Sequence, residues 1–154
     1  MFWQTIDSPL GPVHICASEC GISKIHLGIK TAIADQPSAL TETAAQQLQQ
    51  YFAGSLTQFS LPLSANGTAF QQQVWQSLCQ LPFGQTCSYA DIARQIANPK
   101  AVRAVGAANG KNPIAIVVPC HRVIGANGTL TGYAGGLQNK AWLLNHEQKF
   151  TIQR

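Results

Sequence analysis

The chain has 154 residues, a formal net charge of +4 and 45% hydrophobic residues. A chain of this length buries roughly two thirds of its unfolded surface, so its core needs no disulfides. The five cysteines are odd in number and irregularly spaced, which indicates a reducing compartment and at least one free thiol. No run approaches the ~20 apolar residues of a membrane helix, and residues 1–5 lack a signal-peptide pattern. We therefore expect a cytoplasmic protein without a membrane partner.

The basic side chains are concentrated in the second part of the sequence. Residues 1–65 carry two lysines against four acidic residues, a net charge of −2. Residues 66–154 carry eight basic residues against two acidic ones, a net charge of +6. Such asymmetry favours a polyanionic partner for the second part. Solvated lysines on an ordinary surface are the alternative, and charge alone leaves the two equally supported.

The first 65 residues are predicted to form a small α/β lobe. Alternating apolar residues and turn-forming clusters indicate three strands in an antiparallel meander. A helix follows, because Ala45, Leu48 and Phe52 share one face and Gly54 lies just past its end. The predicted elements are strands at 2–6, 13–17 and 22–27, an irregular segment at 28–38, a helix at 39–53 and a last strand at 59–63.

Two cysteines and two histidines of this lobe raise the question of a metal site. Cys16 and Cys20 are four residues apart, with His14 and His26 nearby. That spacing does not match the C-x₂-C pattern of zinc sites. We interpret both cysteines as buried structural residues and both histidines as ordinary strand residues, and we expect no metal.

Residues 66–154 are predicted to form a mostly helical lobe after a linker at 64–67. Thr68 with Gln71, and Ser88 with Asp91, are capping-box patterns that begin two helices. Asn98 and Pro99 suit the N-cap and first position of a third. The predicted helices are one beginning at 68 with Phe70, Val74, Trp75 and Leu78 inward, then 89–97, 100–109, and 137–147 with Leu137, Ala141, Leu143 and Leu144 inward.

Two of these helices and the segment after them indicate a winged helix-turn-helix. The short helices 89–97 and 100–109 are joined by a tight turn. Residues 125–129 have the composition of a hairpin turn, with a strand predicted at 130–133. The fold class is therefore α+β: an N-terminal antiparallel sheet with a helix (1–65) and a C-terminal winged helix-turn-helix domain (66–154).

The helix at 100–109 has one unusually slim face. Its other side, with Ala101, Val102, Val105 and Ala108, is predicted to face the core. A slim helix bearing a single arginine can approach DNA closely and insert that arginine into a groove or the base stack. A small-residue face packed against another helix is the alternative. The slim face consists of Lys100, Arg103, Gly106, Ala107 and Gly110.

An apolar run at 114–118, predicted to be a strand, leads to Cys120, His121 and Arg122. A cysteine attacks as its thiolate, whose pKa is about 8.5 in a free thiol, so a base is needed. Adjacent residues of an extended backbone point to opposite sides, so we expect His121 to act through a bridging water. Glu147 continues the apolar face of the last helix and needs a partner. The residues therefore predict a Cys120–water–His121–Glu147 relay, with Arg122 structural; a buried cysteine beside an unrelated histidine is the alternative.

The segment from Pro119 to Val123, which follows Asn112-Pro113, resembles the signature of the O6-alkylguanine-DNA alkyltransferases (methylated-DNA–protein-cysteine methyltransferases). The similarity is dense over 66–147 and loose over 1–65. Further similar blocks lie at 67–75, 88–93, 103–106, 132–136 and 140–147.

This resemblance implies a monomer without a cofactor that binds duplex DNA through the minor groove and flips out a damaged guanine. It implies that the O6-alkyl group moves to Cys120 in a single turnover, with His121, Glu147 and Tyr89 assisting. It further implies substrate and DNA contacts: Arg103 filling the gap left by the base, Asn112 as a hinge, Tyr133 and Ala134 in the guanine pocket, and Gly106 and Ala107 on the slim face.

Two positions depart from some family members. Ala134 stands where some have serine, and Ala115 where some have proline; we expect both to affect substrate range and inhibitor sensitivity rather than the reaction. Three other functions are possible in principle. They are a lesion-binding protein without transfer, a cysteine hydrolase and a sequence-specific transcription factor, which the slim face argues against because it offers few base-reading side chains.

Overall fold

A computed structural model describes residues 1–28 and 35–152 of the chain. The fold is α+β, as predicted. Two compact units are present: Met1–Asn66 with Pro113–Ala115, and Gly67–Asn112 with Ile116–Arg154. The short segment Pro113–Ala115 thus belongs to the first unit, although the residues on both sides of it belong to the second.

The first unit is built on a three-stranded antiparallel sheet, which confirms the predicted meander. Its strands are β1 (Phe2–Ile6), β2 (Val13–Ala17) and β3 (Ile22–Leu27), in the order β1-β2-β3. Trp3 pairs with Cys16, and Val13 pairs with Leu27. Central strand β2 contributes most to the core, because Val13, Ile15, Cys16 and Ala17 are all fully buried.

Helix α1 (Ala39–Phe52) packs on this sheet through Ala44, Ala45, Leu48 and Tyr51. It begins at a capping box between Ser38 and Thr41. The predicted helix is thus confirmed. Of the irregular segment predicted at 28–38, residues 29–34 lie outside the described part of the chain.

Two details of the first unit differ from the prediction. A strand at 59–63 is wrong: only Leu63 forms a bridge, with Ile22, because Pro62 has no N–H to extend a ladder. The interpretation of both cysteines as buried is right for Cys16 and wrong for Cys20, which is exposed. Strand β2 ends at Ala17, so Cys20 lies in the turn beyond it.

The second unit contains four α-helices among its described residues. They are α2 (Ala69–Leu78), α3 (Tyr89–Gln95), α4 (Val102–Gly110) and α5 (Leu137–Ile152). Both predicted capping boxes, Thr68 with Gln71 and Ser88 with Asp91, are present. The indole Nε1 of Trp75 donates to the carbonyl of Ala108 at 2.9 Å, which fixes α2 against α4.

Helix α4 starts later than predicted. Ala101 is its N-cap and no side chain caps it. Asn98 instead begins a turn that precedes the helix, in which its carbonyl accepts a hydrogen bond from Ala101 N–H at 3.0 Å. The turn also leaves Val102 37% exposed, so the expectation that Val102 faces the core is wrong.

The segment that leads to Cys120 is not the predicted strand. Ile114 forms one bridge with Ile25 of β3. The chain then turns at Ile116, whose φ of +71° is a costly conformation for a β-branched residue. Residues Cys120–Arg122 form a short 3₁₀ helix, so Cys120 and His121 do not stand on extended backbone as expected.

Two further expectations for the second unit fail. The residues at 130–133 form no strand. Instead β5 (Val123–Ile124) pairs in parallel with β4 (Cys87–Ser88), and a tight turn follows in which Gly125 N–H donates to the Thr129 carbonyl at 2.8 Å. Leu137 is 50% exposed at the first position of α5, whereas Leu143 is fully buried as predicted.

Candidate active site

Cys120 lies at the start of the 3₁₀ helix and is only 6% exposed. The side-chain amide of Asn112 donates to the Val118 carbonyl at 2.9 Å, which ties the end of α4 to the residues before the cysteine. Burial raises the pKa of the Cys120 thiol, although a hydrogen bond from Asn112 and the charge of Lys140 act in the other direction. The thiol is therefore protonated at neutral pH and needs a base to react.

His121 is fully buried and its Nε2 lies 2.6 Å from Glu147 Oε2. Burial lowers the pKa of His121, and the hydrogen bond that His121 donates to Glu147, with the negative charge of that carboxylate, only partly offsets it. The imidazole is thus neutral. Because Nε2 faces a carboxylate, it carries the single proton and Nδ1 keeps a free lone pair. That Nδ1 is buried and has no hydrogen-bond partner among the described residues, so it is the basic atom of the ring.

The carboxylate of Glu147 accepts hydrogen bonds from His121, Arg122 and Gly84. Besides His121, Arg122 donates through Nε at 2.8 Å and Nη2 at 3.1 Å, and Gly84 donates its N–H at 3.2 Å. Burial alone would raise the pKa of Glu147, but the hydrogen bond from His121 and the hydrogen bonds and positive charge of Arg122 hold it well below its usual range. The carboxylate is therefore ionised and orients the imidazole.

Arg122, expected to be structural, contacts both an acid and a backbone carbonyl. Its Nη1 donates to the carbonyl of Leu81 at 2.6 Å, while Nε and Nη2 bind Glu147. The guanidinium is 5% exposed. A buried bidentate arginine–carboxylate pair of this kind fixes geometry as well as charge.

Lys140 was not assigned a role from the sequence, yet it is fully buried beside the site. Its Nζ donates to the carbonyls of Val123 at 2.6 Å and Thr131 at 2.7 Å. Burial lowers the pKa of Lys140, while the nearby Cys120 acts to raise it. A signal was available, because Lys140, Leu143 and Glu147 follow i, i+3, i+7 spacing and share one face of α5.

Two tyrosines flank this network. Tyr89 is the first residue of α3, and its hydroxyl lies 2.9 Å from Thr131 Oγ1. The hydroxyl of Tyr133 is buried without a hydrogen-bond partner among the described residues. Burial raises the pKa of Tyr133 well above its ordinary value, and the Cys120 thiolate, when it forms, and the carboxylate of Glu147 act in the same direction. This phenol is therefore neutral and within electrostatic reach of the cysteine.

The slim face of α4 is solvent-facing rather than packed. Lys100, Arg103 and Ala107 are exposed, and Gly106 is half-buried. A Cβ placed on Gly106 would lie 3.9 Å from the ring of Tyr89. Val105 and Ala108, on the opposite side, are buried. The packed-helix alternative for this face is thus removed.

Comparison with known proteins decides the family. The family model described as "6-O-methylguanine DNA methyltransferase, DNA binding domain" matches residues 69–149, and that described as "6-O-methylguanine DNA methyltransferase, ribonuclease-like domain" matches residues 1–65. This chain belongs to the 6-O-methylguanine DNA methyltransferase family.

Individual members of the family resemble the chain along nearly its whole length. The methylated-DNA–protein-cysteine methyltransferase of Methanosarcina acetivorans is 46% identical over 96% of this chain and 98% of its own. The crystal structure of Mycobacterium tuberculosis OGT in complex with DNA is 47% identical, with a TM-score of 0.90 over 97% of this chain and 94% of that one. A second structure, of Mycobacterium tuberculosis O6-methylguanine methyltransferase, has a TM-score of 0.88 and 44% identity over 99% of both chains.

In this member of the family the predicted site residues fall into two groups. His121, Asn112, Glu147 and Tyr133 interact with Cys120 or with each other through the contacts and charges described above. By contrast, Arg103 and Ala134 are exposed.

The described residues contain neither a metal-binding cluster nor a membrane-spanning helix. Within residues 1–28 and 35–152, no group of three or more His, Cys, Asp or Glu side chains is placed to hold a metal ion. Over the same residues, no helix combines the length and the apolarity required to cross a bilayer.

Proposed function

We propose that this protein repairs DNA by transferring the alkyl group of O6-alkylguanine to the sulfur of its own Cys120, once per molecule. The observation that carries the proposal is the buried Cys120–His121–Glu147–Arg122 arrangement in a chain of the 6-O-methylguanine DNA methyltransferase family. A protonated thiol, a neutral imidazole with a free Nδ1 and an ionised carboxylate together supply what thiolate formation requires.

The proton leaves the thiol of Cys120 and reaches His121 Nδ1 through a bridging water. Glu147 stabilises the imidazolium that forms, because its Oε2 accepts from Nε2 at 2.6 Å. The thiolate attacks the alkyl carbon, the C–S bond forms and the C–O6 bond breaks. The departing guanine takes up a proton from the Tyr89 hydroxyl, and the phenolate regains a proton through solvent from the imidazolium of His121, so that the thiol proton ends, in net terms, on the guanine. A thioether remains on Cys120, and no group in this chain is suited to cleave it, so the protein reacts once.

Access to the lesion requires the base to leave the stack, since its O6 substituent is hidden there. Helices α3 and α4 form the helix-turn-helix that binds duplex DNA through the minor groove. Arg103, exposed on α4, inserts into the gap left by the flipped guanine, and Gly106 and Ala107 allow close approach. The related Mycobacterium tuberculosis OGT was crystallised in complex with DNA, which supports this partner.

The flipped guanine is held in a pocket that includes Tyr133 and Ala134. Asn112 is the hinge between α4 and the reactive segment, a role supported by its hydrogen bond to the Val118 carbonyl. Tyr133 has a buried hydroxyl available for the base. Ala134 and Ala115 stand where some family members have serine and proline, and they affect the range of alkyl groups and inhibitors accepted rather than the reaction.

The division into a lobe at 1–65 and a DNA-binding, alkyl-accepting domain at 66–154 is part of the proposal. The two family models, which match 1–65 and 69–149, support it. We further propose that the protein acts as a cytoplasmic monomer without a cofactor. All five of its cysteines are free thiols, which supports a reducing compartment.

The proposal is tested by the mass of the product. The protein is incubated with duplex DNA that contains one O6-methylguanine, digested and analysed by mass spectrometry. The peptide containing Cys120 is expected to gain one methyl group, with one lesion repaired per protein molecule. DNA binding without an adduct would instead identify a lesion-binding protein, and repeated turnover on esters or amides would identify a cysteine hydrolase. Binding that ranks sequences but ignores lesions would identify a transcription factor.

A further inference from the structure

We propose that Thr131 is a positioning residue that orients the hydroxyl of Tyr89 towards the departing guanine. The inference rests on the proposed function, in which Tyr89 donates a proton. Thr131 is exposed, lies outside the buried network around Glu147, and has no other part in the mechanism described above. Its hydroxyl nevertheless lies 2.9 Å from the phenolic oxygen of Tyr89, 42 residues away in sequence.

Which of the two hydroxyls donates decides whether Tyr89 keeps its proton for the guanine. Each hydroxyl has one proton to donate and also accepts hydrogen bonds. If Tyr89 donated to Thr131, its only proton would be committed to the threonine. When Thr131 donates to Tyr89 instead, the phenolic proton stays free to point at the base. A phenol that already accepts a hydrogen bond is also a stronger donor, because bonds in a chain polarise one another.

The backbone of Thr131 is held in place by a second contact. Its carbonyl accepts a hydrogen bond from Lys140 Nζ at 2.7 Å, and the same ammonium donates to the Val123 carbonyl at 2.6 Å. Lys140 is fully buried, so loss of either acceptor would leave a buried charge poorly solvated. Both carbonyls are therefore strongly constrained.

These contacts connect the proton donor to the nucleophile. Val123 directly follows the 3₁₀ helix Cys120–Arg122. The path from Cys120 to Val123, Lys140, Thr131 and Tyr89 thus consists of short stretches of backbone and hydrogen bonds of 2.6, 2.7 and 2.9 Å. Because Lys140 holds the backbone of Thr131 in place, the threonine hydroxyl can hold the phenol of Tyr89 in one orientation.

The test compares Thr131→Val, which keeps the shape and removes the hydroxyl, with Thr131→Ser, which keeps the hydroxyl. Thr129→Val is the matched control, because the Thr129 hydroxyl lies in the same loop and bonds to Asn127. Each variant is made in the full chain, alone and with Tyr89→Phe. The measurements are the single-turnover rate constant of methyl transfer from duplex O6-methylguanine DNA at saturating protein, and the dissociation constant for that DNA.

Thr131→Val is expected to lower the rate constant about fivefold, the loss that corresponds to one net hydrogen bond. The dissociation constant should change less than about twofold, and Thr131→Ser and Thr129→Val should keep the rate. In the Tyr89→Phe background, Thr131→Val should cause no further loss, since the oxygen that it positions is gone. Thr131→Ala should repeat the result of the valine variant, which excludes an effect of added apolar surface.

A wild-type rate in Thr131→Val, or an equal loss with and without the Tyr89 hydroxyl, would overturn this inference. Either result leaves the proposed function intact if the methyl adduct on Cys120 still forms. Failure of the proposed function is distinguishable, because the wild-type protein would then form no adduct at all.

Discussion

Two buried cysteines, each with a histidine close by in the sequence, have different surroundings in the two units. In the first unit, Cys16 lies on β2 next but one to His14. His14 is half-buried and bonds to the hydroxyl of Thr5 and the carbonyl of Gly28, both at 3.0 Å. These partners are neutral and lie on the same small sheet or at its edge. They satisfy both ring nitrogens, and neither places a charge beside the imidazole.

In the second unit the same two residue types lie beside charged side chains. His121 bonds to the ionised carboxylate of Glu147 through one ring nitrogen and has a basic second nitrogen. Arg122 binds the same carboxylate. Of these two histidines, His121 bonds to a charged carboxylate, which fixes the tautomer of its ring, whereas His14 bonds to neutral groups.

The largest expected difference between the two units concerns their buried cysteines, Cys120 and Cys16, when each sulfur is replaced in turn. Cys120→Ser is expected to abolish methyl transfer while DNA affinity stays within about twofold, because the serine hydroxyl is far less acidic than a thiol. Cys16→Ser should transfer normally and lose about 1–3 kcal/mol of unfolding free energy, since it buries a hydroxyl among apolar neighbours. Adduct mass and urea denaturation measure the two effects. Transfer by the Cys120 variant would refute the assignment of the acceptor.

A second prediction concerns the charge that supports His121. Glu147→Gln leaves the guanidinium of Arg122 buried without a counter-charge, which should cost about 3–5 kcal/mol of unfolding free energy. The control is Glu42→Gln on α1 of the first unit, an exposed residue, for which a change within about 0.5 kcal/mol is expected. Urea titration at neutral pH measures both. Equal effects of the two substitutions would contradict a supporting role for Glu147.

The same network predicts how stability depends on pH. The folded-state pKa of His121 is lowered, so below its unfolded value of about 6.5 the unfolded chain binds a proton that the folded chain does not. The pKa of Glu147 is also lowered, which has the same sign below about pH 4.3. The unfolding free energy should therefore fall as the pH drops from about 6.5. Denaturation of the wild type and of Glu147→Gln between pH 7 and pH 3 should show a flatter acid limb for the variant.

A further prediction concerns Arg103, the exposed arginine of α4 in the second unit, and the repair of duplex DNA. Arg103→Ala should slow repair of duplex O6-methylguanine at least about tenfold, because the gap left by the flipped base is no longer filled. Its reaction with free O6-benzylguanine should be nearly unchanged, since no base has to be flipped. Single-turnover kinetics with the two substrates provide the measurement. An equal loss on both would count against a role in base flipping.

The smallest expected effect concerns the uneven charge of the two units. Lys111, exposed just after α4, is expected to neutralise a phosphate. Lys111→Gln should weaken DNA binding and reduce the slope of log affinity against log salt by about 0.9. Lys24→Gln on β3, exposed in the first unit, should change neither. Fluorescence anisotropy over a range of salt concentrations is the measurement, and identical behaviour of the two variants would contradict a DNA contact confined to the second unit.

Local patterns were sufficient for much of the fold. Alternation predicted β1, β2 and β3, and the capping boxes at Thr68 and Ser88 predicted the starts of α2 and α3, because each signal acts over a few residues. Long-range competition explains the failures. Residues 114–118 have the composition of a buried strand, yet Ile116 adopts a φ of +71° directly after Ala115, the last residue of the segment that belongs to the first unit.

The turn at 125–129 and the strand predicted at 130–133, which would form the wing, show the same effect of long-range contacts. Residues 125–129 form the expected tight turn, but the residues after it do not form a strand. Instead β5 pairs with β4, and the paired residues Cys87 and Val123 are 36 positions apart in the sequence. The carbonyl of Thr131 in that segment is bound by the buried ammonium of Lys140, a partner that no local pattern names.

The sequence by itself determined the reactive residue types, the family resemblance and the face of α5 on which Glu147 lies. Only the tertiary structure decided which ring nitrogen of His121 is basic, that Arg122 shares the carboxylate of Glu147, and that Lys140 is buried. The physical reason is that protonation states depend on burial and on charged partners 25 or 26 residues away. Spacing along the chain specifies which side chains are available, whereas packing decides which of them lose water and which charges meet.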